Sequence, residues 1–95
     1  MNATTAPPGV TREQIEAALR STLAPLELSV SDDSHLHAGH AGARDGRHFS
    51  VRVRSARFTG QTRLARHRLV YESLALLIPQ GIHALAIEAQ APGET

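Results

Sequence analysis

Two stretches of the chain alternate apolar and polar residues with the period of a half-buried strand. Leu26, Leu28 and Val30 are interleaved with Glu27, Ser29 and Ser31, and Phe49, Val51 and Val53 with Ser50, Arg52 and Arg54. Successive side chains of a strand point to opposite faces, so each stretch predicts one face on a core and one face in water. A third stretch, residues 82–89, is apolar in both phases: His83, Leu85 and Ile87 share one face, Ile82, Ala84 and Ala86 the other. That pattern predicts a strand flanked by others or covered on both sides. Two further stretches have helical spacing. Thr11-Arg12-Glu13-Gln14 fits a capping box, and Ile15, Ala18, Leu19 and Leu23 follow as one apolar stripe before Pro25 ends the run. Residues 61–77 carry Leu64, His67 or Arg68, Tyr71 and Leu74, with Ile78 beyond, at spacings of three and four. They predict the second and longest helix, capped by Thr59 or Thr62 and stopped by Pro79-Gln80-Gly81.

The order is helix, strand, strand, helix, strand. The first two strands should pair antiparallel, and the helical crossover from the second to the third should make that pair parallel. The expected product is an α+β domain of αββαβ order, a three-stranded mixed sheet with its helices packed on one face, of the KH-like (class II) kind. Ninety-five residues suffice for one such domain. Residues 1–10, with Pro7 and Pro8 and no apolar period, read as a disordered tail, 11–91 as the domain and 92–95 as a C-terminal tail.

Composition narrows the chemistry. There is no cysteine, which removes disulfides and self-sufficient thiolate metal sites. No apolar run approaches the roughly 20 residues that span a bilayer, and residues 1–10 lack the regions of a signal peptide, so a cytoplasmic location without membrane contact is expected. The net charge is +1, but all ten basic residues are arginine and eight of them lie between Arg44 and Arg68, opposed there only by Asp45. That polarity suits a polyanion or an acidic partner, and equally a solvated strand and helix face.

Between the first two strands, residues 34–47 greatly exceed an ordinary hairpin loop and carry Gly39, Gly42 and Gly46. Within them, Ser34-His35-Leu36-His37-Ala38-Gly39-His40 offers three imidazoles, enough to hold a mononuclear zinc or copper ion, although a glycine-rich histidine loop can also be plain solvated surface. His48 reads as the first residue of a strand, and His67 as a packing or capping residue among arginines. Ser34 has Asp32, His35 and His37 nearby in sequence but no nucleophile-elbow or phosphate-loop pattern, and a long loop preorganises a triad poorly. No enzymatic activity is expected.

Taken together, Asp32-Asp33-Ser34 and the histidine loop, His48-Phe49, Phe58-Thr59-Gly60, Arg66-His67-Arg68-Leu69-Val70-Tyr71 and Ile82-His83-Ala84-Leu85-Ala86-Ile87 resemble the BolA family over residues 15–92. The resemblance implies the same αββαβ fold and two non-catalytic roles. One is partnership with a monothiol glutaredoxin and glutathione around a shared [2Fe-2S] cluster, with no cofactor expected in the isolated chain. There a histidine of the last strand, matching His83, and a ligand from the long loop, best matching His37 with His40 and His35 in reserve, would supply two of the four positions. Glutaredoxin and glutathione thiols would fill the others. The second role is DNA binding as a transcriptional regulator, through the Phe58-Thr59-Gly60 turn and the following helix with Arg63, Arg66, His67 and Arg68. Arginine forks suit phosphates and guanine edges, but Arg66 and Arg68 are two apart and point to different sides of a helix.

Overall fold

The computed structural model describes residues 10–33 and 47–94. Helix α1 (Arg12–Leu23) starts on the expected capping box. Thr11 Oγ1 accepts from the Gln14 amide at 3.2 Å, and Gln14 Oε1 accepts from the Thr11 amide at 2.8 Å. Val10, just before the cap, and Ile15, in the fourth position after it, are both fully buried in the same core cluster. This is a hydrophobic staple, which fixes the angle at which the chain enters the helix. Val10 therefore belongs to the domain rather than to the tail. At the other end, Ala24 takes a left-handed conformation (φ 44°) before Pro25. The Leu23 carbonyl, one of those that a helix end leaves unpaired, accepts from Ser55 Oγ at 2.6 Å.

Strands β1 (Glu27–Asp32), β2 (Arg47–Arg54) and β3 (Ile82–Gln90) form one sheet in the order β1-β2-β3, with β1 antiparallel and β3 parallel to β2. The expected mixed sheet and crossover are thus present. Alternation places Val30, Phe49, Val51 and Val53 in the core, together with Ile15, Leu19 and Leu23 of α1 and Phe58, Val70 and Leu74. Exposed Ser29, Ser31, Arg52, Ala84, Ala86 and Glu88 mark the opposite, uncovered face. β3 is accordingly an edge strand with one open face, not a strand enclosed on both sides; alanine is small enough to be exposed at little cost.

After β2, Ser55 caps a single turn of 3-10 helix (Ala56–Phe58), and Gly60 closes the connection at φ 76°, where a side chain would meet open space but a strained backbone. Thr62, not Thr59, caps helix α2 (Arg63–Ser73), accepting from the Ala65 amide at 3.0 Å. The continuous helix expected over residues 61–77 is divided. α2 stops at Ser73, making it shorter than α1, and turns lead into the short helix α3 (Ile78–Gly81), with Pro79 in its first turn. The pyrrolidine ring of Pro79 would clash with the Ala75 carbonyl in an unbroken helix and is tolerated where a new helix starts. The buried side of α2 also differs from the expected stripe. Val70 and Leu74 are in the core with Leu69 and Leu77 against it, whereas Leu64 (61%) and Tyr71 (43%) are exposed.

Candidate functional site

The first pairs of the parallel ladder are irregular. Arg47 is opposite Ile82, but His48 is opposite Ala84, so His83 is an extra residue on β3, a β-bulge. A bulge breaks the strict alternation of a strand and re-aims side chains. Ile82 can therefore enter the core (8% exposed) although it is three residues from inward-facing Leu85, and His83 and Ala84 are both exposed. The sequence phase put His83 on the face of Leu85 and Ile87; the bulge takes it off that face and into solvent.

There its ring meets a second imidazole. The ring centroids of His48 and His83 lie 5.2 Å apart with their planes at 53°. From sequence His48 opens a strand, and its alternation with Ser50 and Arg52 places it on the wet face. The missing information was the register that brings β3 alongside. The same corner anchors both ends of the long loop. The Asp33 amide donates to the His48 carbonyl at 2.7 Å, Arg47 Nη1 lies 3.3 Å from Asp32 Oδ2, and Asp33 accepts from Ser31 and Ser50 hydroxyls. The loop histidines His35, His37 and His40 lie outside the described residues. Among the described residues, no group of three or more His, Cys, Asp or Glu side chains is placed to hold a metal ion. This site therefore offers two imidazoles, not a closed coordination shell.

The four candidates on α2 are not equivalent. Arg63 and Arg68 are exposed and His67 is half-buried. Arg66 is held within the molecule: Nη1 and Nη2 donate to the two carboxylate oxygens of Glu94 at 2.6 and 2.8 Å, Nε to the Gln61 carbonyl at 3.0 Å, and Nη1 to the Ala89 carbonyl at 3.2 Å. Its side chain is only 14% exposed. The fork raises the Arg66 pKa and, with the Ala91 amide, holds the Glu94 carboxyl down to about 2. Arg54 adds a donor to the Glu94 carbonyl at 2.7 Å. Glu94, assigned from sequence to a tail, is thus tied to both α2 and β2. The basic residues left exposed, Arg63 and Arg68, flank Leu64 and Tyr71, so the outer side of α2 is mixed apolar and cationic.

Comparison with known proteins places these features. The model of the family described as "BolA-like protein" matches residues 19–94. SufE-like protein 1, chloroplastic/mitochondrial, of Arabidopsis thaliana is 42% identical over 87 residues, 85% of this chain but 24% of that protein. The DNA-binding transcriptional regulator BolA of Escherichia coli K12 is 43% identical over 76 residues, covering 80% of this chain and 70% of the regulator. The solved BolA domain of SufE1 from Arabidopsis thaliana superposes with a TM-score of 0.78 at 40% identity, covering 88% of this chain and 94% of that domain. The chain thus spans about a quarter of SufE-like protein 1. Among the described residues no helix is long and apolar enough to cross a membrane. With an αββαβ core in which one short additional helix precedes the last strand, and with sequence identity around 40% along most of its length, the chain belongs to the BolA-like protein family.

Proposed function

We propose that this protein is a non-enzymatic, cytoplasmic partner of a monothiol glutaredoxin that shares a [2Fe-2S] cluster with it and with glutathione. The observation supporting this reading is the bulge at His83, which turns an imidazole outward beside the anchored base of the histidine loop. His37 follows Asp33 by four residues, a tether of at most about 14 Å, with His40 and His35 as the alternatives. His83 and one loop imidazole would occupy two cluster positions, and with no cysteine in the chain the thiol ligands must come from elsewhere. When bound, the cluster supplies iron-sulfur cargo or a redox-sensitive signal. The chain's contribution is two nitrogen donors, which bind as neutral imidazoles.

The test is anaerobic reconstitution with a monothiol glutaredoxin and glutathione, followed by visible absorption and circular dichroism. A cluster spectrum distinct from that of glutaredoxin alone, and lost with His83→Ala, is expected. A heterocomplex spectrum unchanged by His83→Ala refutes ligation by that residue.

A second reading, DNA binding, is favoured by one specific observation: a relative named a DNA-binding transcriptional regulator is 43% identical over 76 residues. In this chain the contacts would come from exposed Arg63 and Arg68 rather than from Arg66, whose fork holds Glu94. Affinity for duplex DNA that does not fall with salt would remove this reading.

A further inference from the structure

We infer that His48 and His83 form a two-imidazole seat for a single tetrahedral divalent cation of the zinc class, available to the protein without glutaredoxin and without the loop histidines. This seat shares His83 with the proposed cluster but does not depend on that proposal.

Geometry carries the inference. A histidine nitrogen sits about 2.0–2.1 Å from zinc, which puts each ring centre roughly 3.2 Å from the metal; at a tetrahedral angle the two centres are then about 5.2 Å apart. The observed separation is 5.2 Å. The 53° tilt leaves the rings unstacked, and His83 is exposed. His48 is paired in the ladder and His83 is the bulged residue between two paired neighbours, so both are carried by strands, and sites on such elements are more exact than sites on loops. His48 also lines a shallow hollow with Asp33, Ser50 and Ala84, which leaves room for solvent beside its ring. Borderline-soft imidazole favours zinc and its neighbours over magnesium or calcium. With two ligands from this chain, the remaining positions are open to water or to a thiol of a second molecule. Zinc and a shared cluster are therefore rivals for His83.

The experiment is calorimetric titration of the lone, metal-free full chain with zinc chloride, for the wild type, His48→Ala, His83→Ala and a triple variant with His35, His37 and His40 all changed to alanine. One bound zinc per chain is expected, retained by the triple variant and weakened at least about tenfold by either single change. Correlated nuclear magnetic resonance shifts of the His48 and His83 rings on adding zinc provide a second readout, and the dispersion of the same spectra verifies that each variant is folded. His48→Gln, which keeps a polar side chain on the strand, should lose binding as His48→Ala does. Binding abolished by the triple variant, wild-type affinity in a folded His48 variant, or no zinc binding to the wild type would each overturn the inference. The last would leave the two rings as a packing contact. None of these results bears on whether a cluster forms with glutaredoxin, which is read from visible absorption.

Discussion

Ile82 is the residue whose loss should show that the bulge, and not the histidine alone, builds the site. Its side chain is 8% exposed and enters the core one residue before the bulge, pinning the strand on the side where His83 turns out. Ile82→Ala removes three carbon groups at roughly 0.8 kcal/mol each, or about 2.4 kcal/mol of transfer free energy. Incomplete closure of the resulting cavity raises the expected loss to about 3 kcal/mol, and Ile82→Val, one carbon smaller, should cost about 1 kcal/mol. Against a total stability of about 5–10 kcal/mol for a domain of this size, the alanine variant stays folded but is plainly weakened. Urea unfolding followed by far-ultraviolet circular dichroism gives both values. The second readout is function: with its anchor gone, the bulge can relax toward regular pairing, so metal or cluster binding through His83 should weaken in the folded alanine variant. A loss below about 1 kcal/mol for Ile82→Ala would refute the anchoring role, because a side chain that enters the core cannot be truncated so cheaply.

Ser55 is fully buried, donates to the Leu23 carbonyl and accepts from the Arg57 amide, so Ser55→Ala strands polar groups and should cost about 1–3 kcal/mol in urea unfolding; a neutral result would remove its role as the tie between α1 and β2. The Glu94 carboxyl is lowered from its ordinary 4.5 to about 2 by Arg66 and then by the Ala91 amide. Its contribution to stability is therefore complete above the ordinary value and is lost as pH falls from there toward about 2. Glu94→Gln should flatten the dependence of the urea midpoint on pH in that window, and an unchanged acid limb would deny the pairing. If the outer face of α2 meets DNA phosphates, the double change Arg63→Ala and Arg68→Ala should reduce the slope of log affinity against log salt by about 2, whereas Arg66→Ala should lower stability first. Fluorescence anisotropy across a salt series separates the two, and an unaltered slope in the double variant would exclude those arginines.

The element order and pairing were legible because the period-2 runs at Leu28-Val30 and Phe49-Val53 have one register that buries them, and a helical crossover admits one direction for β3. The capping box was legible because it is local chemistry between Thr11 and Gln14. What escaped had no such unique solution. The last strand is apolar in both phases, so nothing in Ile-His-Ala-Leu-Ala-Ile says where one phase yields to the other; the core resolves it by taking Ile82 and Leu85 together. On α2 two apolar stripes compete, Leu64 with Tyr71 and Val70 with Leu74. Spacing alone cannot rank them, and contact with α1 and β3 decides. Arg66 and Glu94 are 28 residues apart, beyond any local pattern.

The phase break also bears on the metal chemistry. A regular strand would place His83 between sheet and helices with Leu85 and Ile87, where a coordinating nitrogen could not reach a second molecule. The extra residue reverses that orientation while keeping Ile82 inside, so one backbone irregularity supplies both core packing and an outward imidazole. Ile82-His83 at the start of the last strand is therefore best read as a pair of obligations: an apolar residue that must go in, followed by a histidine that must come out. Alternation alone allows that pair, but with Leu85, three residues after Ile82, also turned inward it is compatible with β geometry only if one residue is left out of the ladder. It follows that exchanging the two residues, so that histidine precedes isoleucine, would preserve composition and length yet bury the imidazole or break the strand, and should abolish binding through this site in either case.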